Sequence, residues 1–157
     1  MKKRTALISA FLALMPLGKP LVFGTSAFLT SAGLMLAASE KAYAESAEFY
    51  FNRAYNKAEE GDHYGAISDY TRALEINPRD AEAYYNRGFA KGKSEDYDGA
   101  ISDYSKAIEI NPRLVDAYYN RGNAKELIGD MKGACSDWRE ASYLGDQDAA
   151  KWLKEDC

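Results

Sequence analysis

A chain of 157 residues has room for one ordinary domain. Its single histidine and two cysteines supply no ligand cluster for a metal ion, and any histidine-based catalytic site would have to be built around His63 alone. The formal net charge is −4, but residues 1–44 hold five basic and one acidic side chain, so the rest carries 15 basic and 23 acidic, a net of −8; that balance argues against a nucleic-acid surface, which needs clustered Lys and Arg, and favours a basic or apolar partner.

The chain opens on Lys2, Lys3 and Arg4, breaks at Pro16 to Pro20, and then runs uncharged from Leu21 to Ser39 before Ala42-Tyr43-Ala44. A basic start, an apolar run and a small-x-small site read as an export signal cut after Ala44. The alternative is an uncleaved membrane anchor: a helix over 21–38 would reach about 27 Å, close to the ~30 Å hydrocarbon thickness. Lys2, Lys3, Arg4 and Lys19 on the near side place the remainder outside the cytoplasm in either case. Residues 1–44 are thus a signal or anchor, and 45–157 form the domain.

Beyond the leader the sequence repeats itself at one interval: Ala66, Ala100 and Ala134 recur together with Tyr70, Tyr104 and Trp138, 34 residues apart. The copies run at about 47–80, 81–114 and 115–148. Each divides into two helical patterns, roughly 81–93 and 97–110 in the second copy, with Tyr84, Arg87, Gly88 and Lys91 on one stripe and Ala100, Tyr104 and Ala107 on the other. Gly88 and Ala100 let the two backbones approach while Tyr84 and Tyr104 fill the space beside them. Asn77-Pro78 and Asn111-Pro112 end the second helices, because proline disfavours helical geometry in the residue before it. Gly61-Asp62 and Gly129-Asp130 mark the inner turns. Glu95 stands where they have glycine, so either a non-glycine residue takes positive φ at a cost of roughly 1 kcal/mol or that turn is built differently.

Residues 147–157, with Ala149, Ala150, Trp152 and Leu153 among charged neighbours, read as a terminal cap covering the last face of the stack. Cys135 and Cys157 are candidates for a disulfide tying the last repeat to that cap; the alternative is a buried thiol and a frayed one. Gly88 to Ser94 is like a phosphate-binding loop only superficially, since its glycine spacing is one short and no strand precedes it. No catalysis, metal or cofactor is expected.

The large residue, small residues, aromatic and proline at Tyr84, Gly88, Ala100, Tyr104, Ala107 and Pro112 make the chain resemble a tetratricopeptide repeat protein with three repeats. The pattern recurs at Tyr118, Gly122, Ala134, Trp138 and Ala141, and at Tyr50, Ala66, Tyr70, Ala73 and Pro78; Ala54 replaces the first small glycine, and Gly145-Asp146 the last proline. The resemblance implies an all-α, right-handed α-solenoid of three helical hairpins plus a capping helix. Its phrasing, NRG-x-AK with GAISDY, is similar to repeats common in bacteria, cyanobacteria among them, which points to a periplasm, a thylakoid lumen or secretion.

The family pattern is apolar or aromatic where this chain has Arg53, Arg87 and Arg121 with Lys57, Lys91 and Lys125. A charge on a packing face needs a partner, and Asp69, Asp103 and Asp137 lie sixteen residues after each arginine on the facing helix, predicting an ion pair inside every repeat.

By resemblance the first helix of each repeat lines a concave groove. Its contact residues here are Phe51, Tyr85 and Tyr119, then Tyr55, Phe89 and Asn123, with Asn52, Asn86 and Asn120 beside them. An aromatic and amide groove suits an extended or helical peptide. The residues that grip carboxylates in other members of the family are absent except at Asn123, so no preference for an acidic C-terminal peptide is expected. The implied function is a non-enzymatic protein-interaction module supporting a protein complex; the alternative is a self-associating subunit whose groove is filled by a neighbour.

Overall fold

The computed structural model describes Ala42, residues 46–155 and Cys157. The leader reading, Ala42 apart, lies outside the described residues. Among the described residues seven helices follow one another: α1 Ala47–Glu59, α2 His63–Ile76, α3 Ala81–Lys93, α4 Tyr97–Ile110, α5 Val115–Leu127, α6 Met131–Tyr143 and α7 Gln147–Glu155. Among the described residues there is no strand, and no helix is long and apolar enough to cross a membrane. The fold is an all-α helical repeat.

Local chemistry sets the helix ends. Asp62, Asp96 and Asp130 each accept a hydrogen bond from the backbone N–H of Gly65, Gly99 or Gly133, capping α2, α4 and α6 with the same device. Ser46 caps α1 and Asp80 caps α3 in the same manner. At α5 the capping position is Leu114, which makes no cap bond and instead packs against the second core. The inner turns of all three hairpins take one shape: Gly61 has φ +84°, Gly129 +85° and Glu95 +64°. The second turn is therefore not built differently, and Glu95 adopts a left-handed backbone that a side chain disfavours.

The interior is a row of three small cores. Ala54, Ala66 and Tyr70 enclose Ala90; Ala100, Tyr104 and Ala107 enclose Ala117; Ala134, Trp138 and Ala141 enclose Ala149. Each core thus borrows an alanine from the next hairpin in the chain, and at the end of the stack α7 supplies it. Trp152 of α7 stacks on Trp138 with ring centroids 5.9 Å apart. The helix also brings Cys157 to Cys135, with the sulfurs at bonding distance and the Cα atoms 5.8 Å apart.

Candidate functional site

The first helices α1, α3 and α5 carry two sets of side chains with opposite duties. On the face turned to α2, α4 and α6 lie the cations. Arg53 donates from Nε and Nη2 to both carboxylate oxygens of Asp69 at 2.6 Å, Arg87 to Asp103 at 2.8 and 2.7 Å, and Arg121 to Asp137 at 2.8 and 2.7 Å. Lys57, Lys91 and Lys125 each reach the same aspartate at 2.8 Å. The aspartates are buried, which is tolerable because each carboxylate is surrounded by two cations. Hydrogen bonding from Arg53 holds the Asp69 carboxyl down to about 2.

A further link joins neighbouring repeats. Arg87 Nη1 donates to Thr71 Oγ1 at 3.1 Å, and Arg121 Nη1 to Ser105 Oγ at 2.9 Å; both hydroxyls in turn donate a hydrogen bond to a backbone carbonyl one turn back, of Ile67 and Ile101. The sequence reading named neither hydroxyl, because Thr and Ser on a polar helix face carry no signal until the stacking places an arginine beside them.

On the opposite face of α1, α3 and α5 the groove residues divide. Phe51 packs edge-on against Tyr70, Tyr85 lies 5.8 Å from Tyr104, and Tyr119 packs on the third core. Burial first, then Asp116, raises the Tyr85 hydroxyl, partly opposed by the hydrogen bond it accepts from Asn120 Nδ2 at 3.1 Å. Burial, with smaller contributions from Tyr55 and Glu59, pushes Tyr70 up to about 12. These phenols stay protonated at neutral pH.

The amides are partly committed. Asn86 and Asn120 each donate to a backbone carbonyl of the preceding turn, of Glu82 and Asp116. Asn123 Oδ1 accepts the indole N–H of Trp138 at 2.9 Å, which fixes the amide and leaves Nδ2, the end that can donate to a carboxylate, without a hydrogen-bond partner among the described residues. Asn52 is exposed.

Of the groove aromatics, the exposed ones are Tyr55, 49% exposed, and Phe89, 39% exposed. They line a cavity of about 140 Å³ with Ala58, Glu59, Tyr70 and Tyr85. Phe89 is also a wall of a second cavity, about 170 Å³, with Tyr97, Tyr104, Asn123 and Leu127. Leu127, 62% exposed, was missed by the sequence reading. Its signal was present: the chain has Glu59, Lys93 and Leu127 at the repeat spacing, an aliphatic residue where the other copies have charge.

His63, in the first turn of α2, leaves Nδ1 buried without a hydrogen-bond partner, and no group of acidic, histidine or cysteine side chains among the described residues is arranged to hold a metal.

Two stretches, residues 57–94 and 93–129, match the family model described as TPR repeat. No curated protein matches the chain. Among solved structures the chain is similar to the TPR domain of Arabidopsis OM64, with 28% identity and a TM-score of 0.67 over 69% of this chain and 92% of that one. It is similar also to the second TPR domain of human RPAP3 in complex with the HSP70 peptide SGPTIEEVD, with 25% identity and a TM-score of 0.65 over 70% and 97%. MamA shares the fold, at 21% identity and a TM-score of 0.66 over 79% and 85%. Proteins of such repeats are generally non-enzymatic scaffolds. The helical hairpins of this chain, stacked through shared alanines and arginine–hydroxyl links, match the TPR repeat model over residues 57–129 and share the fold of these solved TPR domains.

Proposed function

We propose that the chain is an extracytoplasmic protein-interaction module that takes a segment of a partner protein into the concave groove of α1, α3 and α5 and supports assembly of a complex. The observation that carries this reading is the position of Phe89: a large apolar side chain, more than a third exposed, forming a wall of two adjoining cavities with Tyr55 across one and Leu127 across the other. Such side chains gain most when a partner's apolar group desolvates them, at about 25 cal/mol per Å² covered. The RPAP3 domain, which has this fold, is in complex with a peptide, which supports the reading.

The compartment is part of the proposal. The basic, apolar and small-x-small order of the leader supports export of a bacterial, cyanobacterial-like repeat protein, and two cysteines brought to bonding distance suit an oxidising compartment. The test is a pull-down from membrane and envelope fractions with the full chain as the cell processes it, comparing wild type with Tyr55→Ala/Phe89→Ala at equal helicity. A partner lost only from the double variant supports the groove. A partner retained moves the working surface elsewhere, and a mass that rises with concentration with no partner recovered favours self-association.

A further inference from the structure

We propose that the groove is built for a basic segment, one that inserts an apolar side chain beside Phe89 and sets lysines or arginines against a rim of carboxylates; this rests on the groove being the working surface. The rim repeats as the fold does. Glu48, Glu82 and Asp116 recur 34 residues apart, in the first turns of α1, α3 and α5, and all three are exposed. Each precedes the groove residue Tyr55, Phe89 or Asn123 by seven positions, which at 3.6 residues per turn leaves about 20° between them around the helix. The carboxylates and the apolar line therefore share one face.

The placement of the acids agrees. Glu48 and Glu82 line a cavity of about 300 Å³ that also takes in Phe51 and Asp80. Asp116 lies close enough to Tyr85 to raise its hydroxyl, and Glu59 lines the cavity between Tyr55 and Phe89. Among the described residues none of Glu48, Glu59, Glu82 or Asp116 is in an ion pair.

The cations of the same helices do not offset them. Arg87 and Lys91 stand two residues either side of Phe89, about 160° around the helix, and both are bound to Asp103. The same holds for Arg53 and Lys57 about Tyr55 and for Arg121 and Lys125 about Asn123. Among the described residues of these helices one cation, Lys93, reaches the groove, with Nζ 5.1 Å from the Phe89 ring centroid. Charge complementarity therefore selects a basic ligand and repels an acidic one of equal shape. A segment like the SGPTIEEVD carried by the RPAP3 domain would bring three acidic side chains to a rim of carboxylates that make no ion pair among the described residues.

The experiment uses the full chain, as purified after cellular processing, and three fluorescent peptides of about twelve residues: one alternating Lys with Leu and Phe, and two twins with Gln or Glu in place of every Lys. Anisotropy is read at low and at physiological salt. The expected result is that the Lys peptide binds at least about tenfold more tightly than the Gln twin and more tightly still than the Glu twin, a tenfold step being ~1.4 kcal/mol. Glu48→Gln/Glu82→Gln/Asp116→Asn, folded by circular dichroism, removes that preference, and Phe89→Ala weakens the binding of every peptide. If the twins bind as tightly as the Lys peptide and still need Phe89, the charge selection is overturned while the groove stands. If no peptide depends on Phe89, both readings fall.

Discussion

Arg87 and Thr71, sixteen residues apart and in different repeats, share a 3.1 Å hydrogen bond from the same guanidinium that grips Asp103 through its other two nitrogens. The fork orients the intrahairpin pair and the third donor fastens α3 to the preceding hairpin. Arg121 repeats the arrangement with Ser105. Among the described residues no hairpin precedes α1 for Arg53 to reach; Arg53 is 38% exposed against 16% for Arg87, and its guanidinium lies over the rings of Phe49 and Tyr50.

Truncating the two arginines is expected to give unequal losses. Arg87→Met leaves a buried carboxylate with Lys91 alone and strands the Thr71 link, costing roughly 3 kcal/mol. Arg53→Met, at the more solvated end of the stack, costs about 1 kcal/mol. Urea midpoints of the two variants check the order, and equal losses would contradict a role for the interrepeat bond.

Glu95→Gly stabilises the protein. Relief of the left-handed strain at φ +64° outweighs the added freedom of the unfolded chain, for a gain of up to about 1 kcal/mol. The mirror changes Gly61→Ala and Gly129→Ala lose a similar amount, although nothing stands within 4 Å of the added methyl. Thermal midpoints of the three variants distinguish backbone strain from packing.

A methyl at Gly122 would lie 2.5 Å from Trp138 Nε1, whereas one at Gly88 would lie 3.0 Å from the Tyr104 ring. Trp138 is fully buried and tethered to Asn123, so it has no room to yield. Gly122→Ala is expected to cost roughly 2 kcal/mol even after the helix-propensity gain of about 1. Gly88→Ala comes out near neutral, as the natural Ala54 beside Tyr70 suggests. Denaturant titration with tryptophan fluorescence reads both stability and the Trp138 environment.

Stability depends on pH at both extremes. The Asp69 carboxyl is lowered from 3.8 to about 2, so its contribution is complete above about pH 4 and is lost as pH falls through about 2. The Tyr70 hydroxyl is raised from 10 to about 12, so the neutral phenol's contribution is complete below pH 10 and is lost as pH climbs toward 12. Urea midpoints measured across this range should be flat near neutrality and fall at each end. Asp69→Asn flattens the acid limb alone.

The sequence exposes whatever repeats at fixed spacing. The stacking alanines, the aromatic row and the sixteen-residue interval between arginine and aspartate are all visible because three copies carry them in phase. Features that depend on the contact between copies are not. Thr71 and Ser105 look like surface hydroxyls until a neighbouring arginine arrives, and the bond from the Trp138 indole to Asn123 Oδ1 is not visible until the two helices are placed together. Glu95 shows the reverse case: the substitution was plain, but whether the backbone kept its shape required the structure.

The proposed seat of the partner is the concave face around Phe89. The direct measurement replaces Phe89 with a photoactivatable phenylalanine analogue in the full chain, in its native cells, and places the same analogue at Tyr64, an exposed position on α2. The expected result is one crosslinked product from position 89 and none from position 64. A product from position 64 alone, or the same product from both, would contradict it.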